Sequence, residues 1–474
     1  MTLEEVLSIR PSPGLPRAYQ FPPFQRVVLP SGMQVLTVHV PGRPLVSASL
    51  IVRQGASEEP ALLGGVTVLA ARALTEGTER YPGLELIEAS ERLGATLHAE
   101  ASWDAFAVSV EVAAPRLRAA LELLAELVLH PTFPEGDVAR LRDERLNDLL
   151  QARAEPRRRV ERAFDASIYT ADSPYARPLA GDEESVPRLD SKELTRIHRV
   201  LLYPERTALV VGGDLSGLDL ASMAAEVFGA LDSAPRSRAD GDTVPAPRAQ
   251  SAVDRTIVRL YHRPGSVQSE VRIGHMGLAR SVPDFHAVQV MTSILGGLFN
   301  SRLQMNLREE KGYTYGVGAG FEMRRGAGPF AVRTAVHTAV TVPAIAESLA
   351  ELRRIRDTRV TEAELVAARD YLVGVFPLRF ETPGAVVAAL GGLFVQALPD
   401  DELARYRPLV EAVTAEDVQT AARKHINPEC LAIVVVGDAD AIAHDLEAAA
   451  FGELEIVREE VPGDADEGKS EEAE

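Results

Sequence analysis

Apolar positions along this chain switch repeatedly between a two-residue spacing and a three-to-four-residue spacing, so strands and helices are interleaved. From Val35 to Arg53 the pattern alternates in strand fashion. Gly65 to Thr75 reads as an apolar helix bounded by the turn residues Gly77 and Thr78. Phe106, Val108, Val110 and Val112 alternate with small or polar neighbours and therefore share one face of a predicted strand. After Pro115, the residues Leu117, Ala120, Leu121, Leu124, Leu127 and Val128 form the stripe of an amphipathic helix. Helices are also predicted from Glu135 to Arg153 and from Lys192 to Leu202, followed by a buried-looking strand from Thr207 to Val211.

The same order then returns. Val271 to Met276 is strand-like, and Asp284 to Leu295 and Ser301 to Glu310 are helical, the latter ending at Gly312. Tyr313, Tyr315, Val317, Ala319 and Phe321 alternate with Thr314 and glycines, which predicts one strand with both tyrosines on the same face. A strand from Phe330 to Val340, helices from Val342 to Ile355 and Glu362 to Phe376, and a strand from Leu431 to Val436 complete the second run. Direct matches support a duplication: the stretch Tyr203 to Asp214 aligns with Asn427 to Asp438 at an offset of 224. Glu135, Asp137, Val138, Arg142 and Asp143 align with Glu362, Glu364, Leu365, Arg369 and Asp370 at an offset of 227.

Without a strict β-α-β alternation, the expected fold is α+β, a tandem duplication of a two-layer unit with a mixed, largely antiparallel sheet packed on helices. The expected boundaries are an N-terminal extension (1–23), a first domain (24–231), a linker rich in Ser, Pro, Asp and Ala (232–254), a second domain (255–456) and an acidic tail (457–474). From Glu453 onward ten acids face only Arg458 and Lys469, so this end reads as disordered. Neither GxGxxG nor GxxxxGK[ST] occurs where a strand meets a helix, which argues against nucleotide sites.

Composition removes further classes. A length of 474 residues implies more than one core, and a formal charge of −19 is the wrong sign for tracking phosphate backbones. The single cysteine, Cys430, permits neither an intrachain disulfide nor a cysteine-zinc cluster. The acidic start of the chain lacks a signal-peptide pattern and no apolar run is long enough to span a bilayer, so a cytoplasmic location is expected. Arg153, Arg157, Arg158, Arg159 and Arg162 form a basic run that reads as a solvated helix face.

Three stretches carry a specific resemblance: the glycine-opened helix ending at Glu76-Gly77-Thr78, the segment Ser173-Pro174-Tyr175-Ala176-Arg177-Pro178-Leu179-Ala180-Gly181, and Asn300-Ser301-Arg302-Leu303 through Leu307-Arg308-Glu309-Glu310-Lys311-Gly312-Tyr313-Thr314-Tyr315. With the duplicated plan, from about Phe24 to Ile456, they resemble the insulinase, pitrilysin and mitochondrial processing peptidase family of zinc metallopeptidases. The resemblance implies an inverted zinc signature, His-x-x-Glu-His, on the Gly65–Thr75 helix. Two histidines four apart would bind zinc and the glutamate would take a proton from its water. In this chain those positions are Val68, Ala71 and Arg72. Valine and alanine offer no lone pair, and arginine is always cationic. The family's third ligand, a glutamate, falls near Asp148 or Leu149. No two of the ten histidines lie three to five residues apart, so no other helix face offers paired imidazoles.

The resemblance also implies an arginine and a tyrosine seven residues apart in the second copy, matched here by Arg308 and Tyr315, with Tyr313 as the competing tyrosine. A guanidinium and a phenol suit hydrogen bonding to a scissile carbonyl and its developing oxyanion. Gly296, Gly297 and Asn300 lie in a stretch that reads either as a substrate-guiding loop or as a helix-to-helix turn. The implied function is the non-catalytic, substrate-binding subunit of a heterodimeric metalloendopeptidase. A homologous partner would supply the Zn²⁺, and this chain would carry no cofactor of its own and be inactive alone. The alternative is a non-enzymatic scaffold, like the core subunits of the respiratory cytochrome bc complex.

Overall fold

The computed structural model describes residues 18–42, 44–233 and 247–458. Most of the expected N-terminal extension, the middle of the linker and the acidic end beyond Arg458 lie outside the described residues.

Twelve strands form two six-stranded sheets. The first contains β1 (Phe24–Val28), β2 (Gln34–His39), β3 (Leu45–Val52), β4 (Thr96–Ala101), β5 (Phe106–Ala113) and β6 (Thr207–Gly213), in the order β1-β2-β6-β3-β5-β4. The second contains β7 (Ile257–His262), β8 (Gln268–Met276), β9 (Val317–Phe321), β10 (Pro329–His337), β11 (Ala432–Gly437) and β12 (Glu453–Val457), in the order β12-β7-β11-β8-β10-β9. The duplication is therefore visible strand by strand. The matched segments around Val211 and Val435 become β6 and β11, each running parallel to one neighbour and antiparallel to the other. The outer strands β1 and β12 come from opposite ends of the chain, and β1 is antiparallel to β2 whereas β12 is parallel to β7.

The helices that position the site are α1 (Val66–Ala73), α2 (Leu117–Leu129), α3 (Glu135–Ala154), α4 (Pro156–Ile168), α5 (Ser191–Leu201), α6 (Phe285–Thr292), α7 (Thr341–Asp357), α8 (Glu362–Val375) and α9 (Pro383–Val395). One face of each sheet packs on helices of its own half: α1 and α2 meet the first sheet at Val46, Leu50, Val108 and Leu209, and α6 and α7 meet the second at Val258, Ile273, Val332 and Ile433. The opposite faces are covered by exchange. Val387, Leu390 and Phe394 of α9 pack on Leu36, Ile51 and Val210, while Val160 and Phe164 of α4 pack on Ala331, Val434 and Val436. Burial on both faces explains why β6 and β11 are continuous apolar runs rather than alternating ones.

Four expectations change. The alternation from Val35 to Arg53 is two strands, broken at Pro41-Gly42, where Gly42 takes φ +96°, and β6 lies between them. Tyr313 and Tyr315 are not on a strand, because β9 begins at Val317; Tyr313 is half-buried against the second core and Tyr315 is exposed. The helices predicted to end at Leu295 and Glu310 finish in wider π-helical turns, Ser293–Gly297 and Gln304–Glu310. Glu453 and Glu455, read as the start of a disordered tail, belong to β12, where they pair with Arg255 and Arg259 of the neighbouring segment at 2.5 and 2.9 Å.

The halves also meet at a polar joint. Arg324, in the loop after β9, is buried with its guanidinium over the rings of Trp103 (4.9 Å) and Tyr175 (4.7 Å). Arg325 donates its backbone N–H to Asp104 (2.8 Å) and its Nη1 to Glu58 (3.2 Å). Recessed beside this joint is Asp165 of α4, faced by Glu161 on its own helix, Glu322 and Arg324 after β9, and Arg333 on β10. Burial pushes its carboxyl up to about 7, outweighing the pull of the two arginines. Since the folded chain holds this proton more tightly than the unfolded one, stability through Asp165 is fully present below about pH 4 and is lost as pH rises through 7. Asp165→Asn is therefore expected to gain on the wild type across that window and to hold a constant advantage above it. Urea midpoints at pH 5 and pH 8 that differ equally for the two proteins would remove Asp165 as the cause.

Candidate active-site remnant

The helix on which the resemblance would place a metal is fixed at its N-terminal end by a buried carboxylate. Glu59 accepts hydrogen bonds from Gly65 N (2.9 Å) and Thr67 N (2.6 Å), so its carboxylate caps the positive end of α1. Gly65 takes φ +88°, and a Cβ there would meet the Ala180 carbonyl at 2.5 Å; a Cβ on Gly181 would meet Gly64 O at 2.2 Å. The segment from Ser173 to Gly181 is thus pressed against the start of α1, and Arg177 Nη2 closes the contact on Ala56 O at 2.9 Å. That packing explains the motif without reference to catalysis.

The three positions where the resemblance would put the zinc motif are taken up by packing and ion pairing. Ala71 is fully buried, Val68 lines a cavity of about 30 Å³ with Gly65, Leu69, Arg72 and Arg145, and Arg72 reaches Glu144 of α3 at 2.9 Å. Arg140 completes the link, bonding Glu144 and Glu76 at 2.7 Å each. Asp148, the lone carboxylate near the expected third-ligand position, is gripped by Arg158 at 2.7 and 2.8 Å and by Arg145. The hydrogen bonds from Arg158, with the charge of Arg145, hold the Asp148 carboxyl below the usual range. Leu149 is buried. Zinc does not fit this donor set: three arginines stand where a dication would need lone pairs. The purified chain is expected to carry far less than one zinc, and EDTA to leave its melting temperature unchanged. Stoichiometric zinc with a chelator-sensitive melt would contradict that.

Among the described residues one other group brings metal-capable atoms together, His262 with Asp438 and Asp440. Its imidazole Nδ1 accepts the Ala439 backbone N–H (3.1 Å), which leaves the proton on Nε2, and Asp440 is paired with Arg458 (2.6 Å). His39 does the same in the first half, accepting from Leu215 N at 3.1 Å next to Asp214. A contact repeated by the duplication, with its lone pair already used, is a strand-end clasp.

In the second half, Gly312 turns the chain with φ +66° between the Gln304–Glu310 turn and the lead into β9. Arg308 and Tyr315 stand on either side of that turn. The Arg308 side chain is 36% exposed, lies over the Phe299 ring at 4.8 Å, and has only a loose ion pair with Glu309 at 3.5 Å. Tyr315 is 94% exposed. Tyr313 is held by its backbone bond to Leu307 O (2.8 Å) and its packing on the second core. Gly296 is buried at a close approach, since a Cβ there would meet Ala319 N of β9 at 2.4 Å, whereas Gly297 and Asn300 are exposed. The turn proper is Leu298 to Asn300, shorter than the glycine run suggests. No hydrogen bond, ion pair or ring contact among the described residues joins Arg308 or Tyr315 to α1. Phe299, over whose ring the guanidinium lies, falls inside the stretch from Gly296 to Asn300 that the sequence marks as a loop or turn, but an isolated aromatic in a turn carries no periodic signal that ties it to Arg308.

Two sheets of like order, exchanged covering helices and an α1 whose Val68, Ala71 and Arg72 offer no metal-donor atoms define a duplicated metallopeptidase-type fold. The chain belongs to the insulinase family: the model described as "Insulinase (Peptidase family M16)" matches residues 34–183 and that described as "Peptidase M16 inactive domain" matches 188–372. An uncharacterized zinc protease of Mycobacterium leprae is 25% identical over 411 residues, covering 85% of this chain and 89% of that protein. A Helicobacter pylori relative named a non-peptidase homolog is 21% identical over 399 residues, covering 83% and 89%. Among solved structures, a peptidase M16 inactive domain from Pseudomonas fluorescens superposes with TM-score 0.79 at 26% identity, covering 88% of this chain and 98% of that one.

Proposed function

We propose that this chain is the non-catalytic subunit of a heterodimeric metalloendopeptidase, paired with a homologue that bears the zinc. The carrying observation is the division of labour between its halves. The α1 face at Val68, Ala71 and Arg72 is taken up by Arg72, Arg145 and their carboxylates, while among the described residues the side chain of Tyr315 has no hydrogen bond and that of Arg308 has only a loose Nε pair with Glu309 at 3.5 Å. A guanidinium and a phenol hydrogen-bond a peptide carbonyl and stabilise the oxyanion that grows on it. Arg302, by contrast, is consumed by structure, buried in a two-pronged pair with Glu364 at 2.6 and 3.0 Å. Substrate enters this reading as unfolded peptide. β4 terminates its sheet, paired only with β5, and its Thr96, His98 and Glu100 are exposed, so an extended segment can add alongside it.

Mixing tests the proposal. The chain and its zinc-bearing homologue, each purified and then combined, are expected to form a one-to-one complex that cleaves fluorogenic oligopeptides faster than the homologue alone. A complex that forms without gain in turnover would favour the scaffold reading, which the non-peptidase name of the Helicobacter relative also favours.

A further inference from the structure

We infer that Phe299 is a positioning residue: its exposed ring is the platform that holds the Arg308 guanidinium flat and turns its N–H edges outward. The inference deepens the proposed function and rests on Arg308 acting there. A ring that is 68% exposed gains little from burial, so its placement calls for another reason. Among the described residues the cation on its face is the Arg308 guanidinium, 4.8 Å from the centroid. Arginine stacks on aromatic faces through the negative quadrupole of the ring, which leaves the donors in the guanidinium plane available; here only Nε has a partner among the described residues, the loose pair with Glu309 at 3.5 Å. A carboxylate partner would instead occupy those donors, as Glu364 does for Arg302.

The backbone fixes the two residues independently. Leu298 N bonds Ser293 O (3.2 Å) and Lys311 N bonds Asn306 O (3.0 Å), the five-residue spacing of π-helical turns. Such turns recur at functional sites because the extra residue re-aims a side chain without ending the helix. Each turn is anchored by a buried leucine next to the exposed partner, Leu298 before Phe299 and Leu307 before Arg308. Phenylalanine also has no polar atom, so it does not compete with a peptide carbonyl for the arginine.

The experiment uses the complex with the zinc-bearing homologue and a fluorogenic oligopeptide that it cleaves. Phe299→Ala and Phe299→Leu are expected to lower kcat roughly two- to fivefold with KM nearly constant, while Phe299→Tyr restores it. In the Arg308→Ala background, Phe299→Ala is expected to have no further effect. A second readout uses the chain alone. With ¹³C,¹⁵N-arginine labelling, the Arg308 side-chain protons should move downfield in Phe299→Leu as the ring current is lost. If Arg308→Ala slows the complex but Phe299→Leu changes neither kcat nor those resonances, the platform is refuted and the proposed function stands. If Arg308→Ala has no effect, both fall together. A rise in KM alone would make Phe299 a peptide contact and overturn its positioning role.

Discussion

Arg324→Ala is expected to destabilise the whole chain by about 2–4 kcal/mol, a loss measurable as a lower urea midpoint. The residue is 5% exposed and belongs to the second half, yet the two aromatic rings it lies against, Trp103 and Tyr175, belong to the first and meet each other edge to face at 5.3 Å. Truncation removes two desolvated cation–π contacts and leaves a void against the two rings where the guanidinium packed. Its Nε and Nη2 bonds to Glu322, at 3.0 and 2.6 Å, add little, because that glutamate is half exposed and keeps water when the arginine goes. Nη1 has no hydrogen-bond partner, which offsets part of what the stack contributes and keeps the estimate below that for a fully satisfied buried arginine. Arg324→Met fills most of the volume without the charge and should recover about half of the loss. Since the two halves share this joint, the alanine variant should also broaden the transition as the halves begin to unfold separately. A midpoint shift equivalent to less than about 0.5 kcal/mol would mean that the exchanged helices α4 and α9, with the Arg325 bonds to Asp104 and Glu58, hold the halves together without Arg324.

What the sequence disclosed and what it hid divide along a physical line. Elements with one buried face were legible, because solvent on the other face writes a period into the chain: Phe106, Val108, Val110 and Val112 alternate and are all buried, and the stripe from Leu117 to Val128 is the packed side of α2. Elements with no such contrast were not. In α9, Pro-Gly-Ala-Val-Val-Ala-Ala-Leu-Gly-Gly-Leu-Phe-Val has no polar face to mark a period, and nothing local says that it crosses to the other half's sheet. The strand β12 was lost for the opposite reason, since its acids match the composition of the residues that follow and their partners, Arg255 and Arg259, lie almost 200 positions earlier. At the site, residue types were enough to show that Val68, Ala71 and Arg72 cannot ligate zinc. That Arg145, Arg158 and Glu144 have turned the same surface into an ion-pair network needed coordinates, because those partners join α3, α4 and the segment before α5 only in space.

The largest kinetic effect is expected from Arg308→Ala in the assembled heterodimer, roughly a 10²- to 10³-fold fall in kcat, the loss typical of one oxyanion donor. The fall should appear in kcat and kcat/KM together, since an interaction that strengthens as charge grows on the oxygen leaves ground-state binding almost untouched. Tyr315→Phe, which removes one hydroxyl, should show the same signature with a smaller loss. If both donors serve one oxygen, as proposed, the double variant should lose less than the product of the two. Lysine at position 308 should restore charge but not the planar pair of donors, and so recover only part of the rate. Neither change should disturb folding: Tyr315 is 94% exposed, and Arg308 has only its loose pair with Glu309 and its stack on an exposed ring. Melting temperatures within about a degree of wild type, together with unchanged complex formation by light scattering, would assign the loss to chemistry. If kcat stays at the wild-type value in Arg308→Ala while the complex still cleaves peptide, the exposed arginine and tyrosine are surface residues of a structural subunit, and all of the transition-state stabilisation belongs to the partner.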